Sequence, residues 1–298
     1  MTGIQKQRQT NSLDVSVVVC TKNEESRIED CLKSIVNNDP GEIIVVDGES
    51  KDATIRIAKK YANKVIQSCN SNLTRDRQIG IDAAKNEYVA MIDSDHRLSK
   101  GDLRSLLEDL RRYDFDIVQS QLISFENHNF WNKAEEQSWQ LTHNYPGPKR
   151  MIGVAPAIFK KMIFEKIQFD DNITSTIDDT DFMYRVSKIP GIKYGIGQTR
   201  IRQLHFGSFR TYIRKFKWYG MGDGEFCVKH PNRASSMIFH LLIRYPVIYT
   251  LRAIKRGKFK AIPFFVLQGY VRFYGMICGV MRLSLDKKNY SGIVKLMK

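Results

Sequence analysis

Val15 to Cys20 reads VSVVVC, an unbroken apolar and β-branched run of the kind a strand buried on both faces requires. Ile28, Cys31, Leu32, Ile35 and Val36 follow at helical spacing and predict an amphipathic helix with one buried stripe. Pro40-Gly41 breaks the chain before a second apolar strand, EIIVVD, and Asp52 is placed to cap a helix running to about Tyr61. KVIQS reads as a short third strand, Leu73 to Lys85 as a helix, and YVAMI as a fourth strand. Leu103, Leu106, Leu107 and Leu110 mark a further helix, and DIVQSQ a further strand. Strands alternating with helices at this spacing predict an α/β fold whose mostly parallel sheet is flanked by helices.

Ligands of such sheets sit beyond the C-terminal ends of the strands, which gives the polar residues a common address. Thr21, Asn23 and Glu24 follow the first strand, Asp47 ends the second, and Asp93 and Asp95 follow the fourth, so an acid-rich edge is expected. Two carboxylates one residue apart repel unless a cation or a proton is shared between them. Three readings of Asp93-Ser-Asp95 compete: a solvated or helix-capping loop, the nucleophile and acid of an aspartyl-phosphate phosphatase, or a divalent metal held against a diphosphate.

The segments VVVCTKNEESRIEDCLKSI, EIIVVDGESKDAT, RDRQIGIDAAKNEYVAMIDSD, GVAPAIFKKMIFEKIQFDDNI and DDTDFMYR stand in that order between about residues 15 and 190. Taken together they resemble the nucleotide-sugar-dependent family-2 glycosyltransferases of GT-A (Rossmann-like) fold. The resemblance implies that Thr21, Glu24 and Asp47 contact the base and ribose of a UDP- or GDP-sugar and that Arg77 lies near its diphosphate. It further implies that Asp93 and Asp95 form the D-x-D motif, with Asp93 toward the ribose and Asp95 on Mg²⁺ or Mn²⁺. Asp178-Asp179-Thr-Asp181 resembles the family's acidic motif at a helix start, and Asp179 aligns with the base of an inverting transfer, Asp178 beside it. Acids in a first helical turn also stabilise the helix without catalysis. Gln78 and Glu49 depart from the family pattern, and no Q-x-x-R-W segment follows, which points away from a processive polymerase. His205 has two readings, a further metal ligand or a hydrogen-bonded structural residue.

Charge separates the last third from the rest. From Arg200 to Lys298 there are 20 Lys and Arg against 3 acids, whereas the remainder has 27 against 29. Such asymmetry predicts a polyanionic partner, either nucleic acid or an anionic membrane face. Met237 to Ile254 and Ala261 to Met281 are dominated by apolar residues, the second long enough to cross a bilayer. Arg272 in its middle and basic flanks on both sides oppose a simple span. A helical pair lying in the inner leaflet is therefore expected, with packing as core the alternative. Five cysteines without metal or disulfide spacing, and a polar N-terminus without an apolar stretch, predict reduced thiols in the cytosol.

The expected organisation is a polar tail (1–13), a GT-A catalytic domain (14–207, its donor half 14–121 and acceptor half 122–207) and a basic, membrane-associating helical region (208–298). The expected activity is metal-dependent, inverting transfer of a sugar to a lipid-linked saccharide or glycolipid in glycan or cell-envelope synthesis, at the inner face of the plasma membrane. The alternatives are nucleic-acid binding by the basic third, which the long apolar segment disfavours, and the phosphatase, whose D-x-D opens the first strand rather than ending the fourth.

Overall fold

The computed structural model describes residues 12–69, 72–125, 129–142, 144–173, 176–205 and 208–296, with backbone alone over 286–296. The expected polar tail lies outside these residues apart from its last two. The chain forms two compact units, one of residues 1–125, 144–174 and 178–204, the other of 126–143, 175–177 and 205–298.

The first unit is built on β1 (Leu13–Thr21), α1 (Ile28–Val36), β2 (Pro40–Asp47), α2 (Thr54–Ala58), β3 (Lys64–Gln67), α3 (Leu73–Ala83), β4 (Tyr88–Met91), β5 (His96–Arg97), α4 (Asp102–Arg112) and β6 (Ile117–Ser124). After α5 (Phe130–Thr142), which belongs to the second unit, it resumes with β7 (Gly147–Pro148), β8 (Ala157–Lys160), α6 (Ile163–Lys166), α7 (Asp178–Val186) and β9 (Tyr194–Gln203). The strand order is β3-β2-β1-β4-β8-β6-β9-β5, with β7 beside β9. The four strands at the β3 side run parallel, as the alternating pattern predicts. Beyond β4 the sheet becomes mixed, because β8 enters antiparallel between β4 and β6. A strand of four residues, AIFK, carries no local sign of its direction.

Successive β1 side chains face opposite layers. Val15, Val17 and Val19 meet Ile28, Leu32 and Ile35 of α1 and Leu103, Leu106 and Leu110 of α4. Val18 meets Ile81 of α3 and Phe182 and Met183 of α7 on the other face. Ile28, Cys31, Leu32 and Ile35 are all fully buried, the isoleucines and the leucine each contributing about 1.5–3 kcal/mol of apolar transfer. The α2 helix is shorter than the expected run to Tyr61: Asp52 Oδ1 accepts from both the Thr54 amide (3.0 Å) and hydroxyl (2.5 Å), and the helix ends at Ala58. On α3, Asn72 caps the first turn by accepting from the Arg75 amide at 2.8 Å. Gly80 lets this helix press onto β1, for a Cβ there would stand 2.3 Å from Val18 Cγ1.

The second unit consists of α5, α8 (Phe209–Lys229), a 3₁₀ turn (Pro231–Arg233), α9 (Ala234–Phe239), a π-helical segment (His240–Tyr249), α10 (Thr250–Lys255) and α11 (Ala261–Leu296). The sequence suggests a kink at Pro246, and the chain is π-helical around it, a way of accommodating a residue that has no amide hydrogen. Ala134, Tyr212, Phe216 and Phe264 form one apolar cluster, and Leu141, Ala253, Ala261 and Phe265 another. Between α8 and α11 runs a seam of glycines. A Cβ on Gly220 would lie 2.1 Å from the Arg272 carbonyl oxygen, and one on Gly275 2.3 Å from that of Lys217. A Cβ on Gly224 would stand 2.6 Å from the Met276 carbonyl oxygen, and one on Gly279 2.5 Å from that of Met221. Beside the seam, the half-buried Arg272 donates to both carboxylate oxygens of the buried Asp223, at 2.9 and 2.7 Å.

Candidate active site

The parallel strands deliver their C-terminal residues to one edge of the first unit. Thr21, Asp47 and Gln67 stand opposite one another in the register of β1, β2 and β3. Asp47 is fully buried; its Oδ2 accepts the Ser50 amide at 2.8 Å, while its Oδ1 has no hydrogen-bond partner. The buried Thr21 hydroxyl is likewise without one. Glu24 begins the turn into α1; its amide donates to Thr54 Oγ1 at 2.8 Å, and its carboxylate lies 3.7 Å from Arg27. Asn23 and Glu49, in the loops beyond these strands, both take positive φ, at 54° and 63°. Asn23 is held there by its Oδ1, which accepts the Lys51 amide at 2.8 Å.

Asp93 follows β4, whose exit is fixed by the Ile92 amide donating to Val18 O at 3.1 Å. The carboxylates of Asp93 and Asp95 and the ring of His96 bring their ligand atoms within 4.8 Å of one another, the one such cluster among the described residues. His96 is buried, and its Nδ1 accepts the Asp93 amide at 3.0 Å. Its proton therefore rides on Nε2, which faces Asp95 Oδ1 at 3.7 Å. Asp95 Oδ2 accepts from Gln203 Nε2 at 3.1 Å, and Oδ1 is buried without a hydrogen bond. Two carboxylates with one orphaned buried oxygen fit a hard divalent cation, which takes oxygen ligands. His96 in this tautomer turns an N–H, not a lone pair, toward Asp95. Sequence reasoning missed both His96 and Gln203. His96 stood in plain view directly after the D-x-D, but nothing local told that its ring folds back on that loop.

Arg77 ties the D-x-D loop to the start of α7. Its guanidinium lies 3.0 Å from Asp178 Oδ2 and 3.5 Å from Asp93 Oδ1, and it is almost wholly buried. The contact to Asp178 is an ion pair whose angle falls outside hydrogen-bond geometry. Burial opposes the arginine's charge, but the carboxylates of Asp178 and Asp93 outweigh it and hold its pKa above the ordinary value. Burial also raises Asp178 above the usual carboxylate range, against the pull of Arg77. Asp179, beside it and partly open to solvent, is pushed up to about 6 by desolvation and by the charge of Asp178. The third acid has a structural partner: Asp181 is fully buried and accepts from Arg185 Nε at 2.7 Å. Gln78, where the family pattern has another residue, is engaged by the Phe169 amide (3.0 Å) and by Asp82 (2.7 Å).

His205 belongs to the second unit. Its Nδ1 lies 2.6 Å from Glu135 Oε2, which also accepts from the Tyr212 hydroxyl at 2.8 Å, and its ring stacks on Trp139 at 5.2 Å. In the aromatic run of α8, Tyr212 and Phe216 are buried while Phe209 and Trp218 are exposed, as in a half-buried helix.

Acids gathered at the parallel strand ends, with the D-x-D loop beside the acidic helix start, are the arrangement that the resemblance to GT-A glycosyltransferases implies. Residues 16–189 match glycosyl transferase family 2, and the chain belongs to that family. It is 27% identical over 231 residues to the uncharacterized glycosyltransferase RT0209 of Rickettsia typhi, covering 74% of this chain and 70% of that one. A cholesterol galactosyltransferase of Borreliella burgdorferi is 33% identical over 114 residues, 36% of this chain and 32% of its own. Among solved structures, the mannosyltransferase PcManGT of Pyrobaculum calidifontis, in complex with GDP-Man and Mn²⁺, shares the fold at a TM-score of 0.55 and 15% identity, over 97% of this chain and 82% of that one. The protein is thus a glycosyltransferase, and the phosphatase reading of its D-x-D is set aside.

Proposed function

We propose that the protein transfers a sugar from a UDP- or GDP-sugar, with inversion, to a lipid-linked saccharide or glycolipid at the inner face of the plasma membrane, in glycan or cell-envelope synthesis. The observation that carries the reading is Arg77, which holds the D-x-D acid Asp93 and the helix-start acid Asp178 to one guanidinium and so sets Asp179 beside the donor's loop.

Thr21, Glu24 and Asp47 receive the base and ribose; the unpartnered Asp47 Oδ1 and Thr21 Oγ1 are an acceptor and a hydroxyl waiting for a nucleoside edge. Asp93 and Asp95 would hold Mg²⁺ or Mn²⁺, which supplies positive charge beside the departing diphosphate. His205 is hydrogen-bonded to Glu135 within the second unit, which favours the structural one of its two readings. Asp179, with its pKa near the working pH, takes the proton of the acceptor hydroxyl as that oxygen bonds to the anomeric carbon and the bond to the nucleoside diphosphate breaks. The charge of Arg77 favours the ionised form of Asp179, against the opposing charge of Asp178. Support for a nucleotide-sugar donor and a divalent metal comes from the GDP-Man and Mn²⁺ bound by PcManGT, and for a lipid acceptor from the cholesterol galactosyltransferase.

The test is thermal stabilisation by UDP- and GDP-sugars with Mn²⁺ or Mg²⁺, in the native protein and in Asp95→Ala. One donor should raise the melting temperature only with metal, and Asp95→Ala should abolish the effect. Stabilisation by no donor, or equal stabilisation of the variant, would refute the site.

A further inference from the structure

The second unit leaves uncovered what a soluble core would hide. The helical stretch Pro231–Lys255 and the first part of α11, Ala261–Leu285, are each 25 residues long and apolar enough for a membrane segment. Only 17% and 33% of their most apolar windows are buried within the protein. Their exposed residues form stripes. Ile243, Val247 and Leu251 recur every fourth residue, and Tyr274, Ile277 and Met281 follow at helical spacing on α11, with Leu251 61% and Met281 60% exposed. Monomeric soluble proteins rarely leave apolar faces of this extent open.

Two further observations identify the occupant. The turn joining the two helices, Lys255-Arg-Gly-Lys-Phe-Lys260, places four cations and the exposed Phe259 between the stripes. Arg272, the charge that most opposes burial of α11 in lipid, is neutralised by two hydrogen bonds from its guanidinium to Asp223.

We propose that these two helices form a docking face that inserts into the headgroup and upper acyl region of a bilayer containing anionic lipid. A second copy of the chain would bring the same cations against this face, whereas anionic lipid brings the opposite charge. Nucleic acid would match the cations and leave the apolar stripes in water. The inference deepens the acceptor assignment above, since a transferase seated this way meets a lipid-linked acceptor in the leaflet it occupies.

The experiment is flotation of the full-length protein with vesicles of phosphatidylcholine alone and of phosphatidylcholine with phosphatidylglycerol, at low and high salt. The native protein should float with the mixed vesicles at least about ten-fold better than with the neutral ones, and part of the binding should survive high salt. The double variant Leu251→Glu, Tyr274→Glu should lose about ten-fold of the binding, and replacing Lys255, Arg256, Lys258 and Lys260 by Gln should remove the preference for anionic vesicles. Native protein that remains in the aqueous layer with both vesicles overturns the proposal. So does a double variant that floats like the native protein, or self-association that Leu251→Glu abolishes while no vesicle binds. Donor-and-metal stabilisation, read on the same double variant, keeps the two readings apart: failed flotation with stabilisation intact sinks only the docking face, and intact flotation without stabilisation sinks only the transferase site.

Discussion

Replacing Asp179 by Asn should move stability and activity in opposite directions. Burial and the neighbouring Asp178 push Asp179 up to about 6, from an ordinary value of 3.8. A carboxyl group whose pKa is higher in the folded than in the unfolded chain holds its proton more tightly when folded. Its contribution to stability is therefore greatest below the unfolded value and is lost as pH rises through about 6. Above that pH the native protein carries the full cost of an ionised, desolvated carboxylate. Asp179→Asn removes that cost while Asn Oδ1 can still accept the Thr180 amide, which Asp179 Oδ1 holds at 2.6 Å. The variant should thus be more stable at about pH 8 by on the order of 1–3 kcal/mol, with the difference vanishing near pH 4. The amide cannot take a proton, so transfer should fall by roughly 10²–10⁴-fold. In the native protein kcat/KM should decline about ten-fold per pH unit below a midpoint near 6. The assays are thermal melting of both proteins across this pH range and sugar transfer followed with the donor that stabilises the protein. A variant that melts below the native protein at about pH 8, or a native acid limb near pH 4, would refute the reasoning.

His96→Asn keeps an acceptor near the Nδ1 position for the Asp93 amide and should retain most of the metal-dependent stabilisation, whereas His96→Ala should lose it. Equal behaviour of the two would show that His96 does not organise the D-x-D loop. Arg272→Ala should destabilise the second unit by about 3–5 kcal/mol, since it strands the buried charge of Asp223, and Asp223→Ala by less, since Arg272 is partly exposed. Denaturant melts of both single variants and the double one should give a double loss well below the sum, and a strictly additive result would deny their coupling.

The parallel half of the sheet was legible because its strands are continuous apolar runs and α1 and α4 carry unbroken buried stripes. The β8 strand and the place of β9 in the sheet were not, because they rest on pairing with residues far along the chain. The convergence of Asp47, Asp93 and Asp95 on one edge followed from strand direction alone. Arg77 is a different case. The family resemblance sets it near the diphosphate, and the structure wedges its guanidinium between Asp178 and Asp93, nearly out of solvent. Burial of that kind leaves no mark on the sequence around it. Gln203 reaches Asp95 only because β9 pairs with β5, and Arg272 reads as an unpaired charge until α8 brings Asp223 to it. The apolar and basic character of the last third was visible in composition, but which side chains turn outward required the helices to be packed.

The glycine seam between α8 and α11 bears on how this protein reaches its working state. Hydrophobic cohesion depends on water being outside; close van der Waals contact between backbones does not. With Gly220 and Gly224 pressed on the main chain of α11, and Gly275 and Gly279 on that of α8, the two helices cohere through contacts indifferent to their surroundings. On the docking proposed above, the second unit keeps the same internal packing in water, in mild detergent and against lipid, and needs no repacking to pass between them.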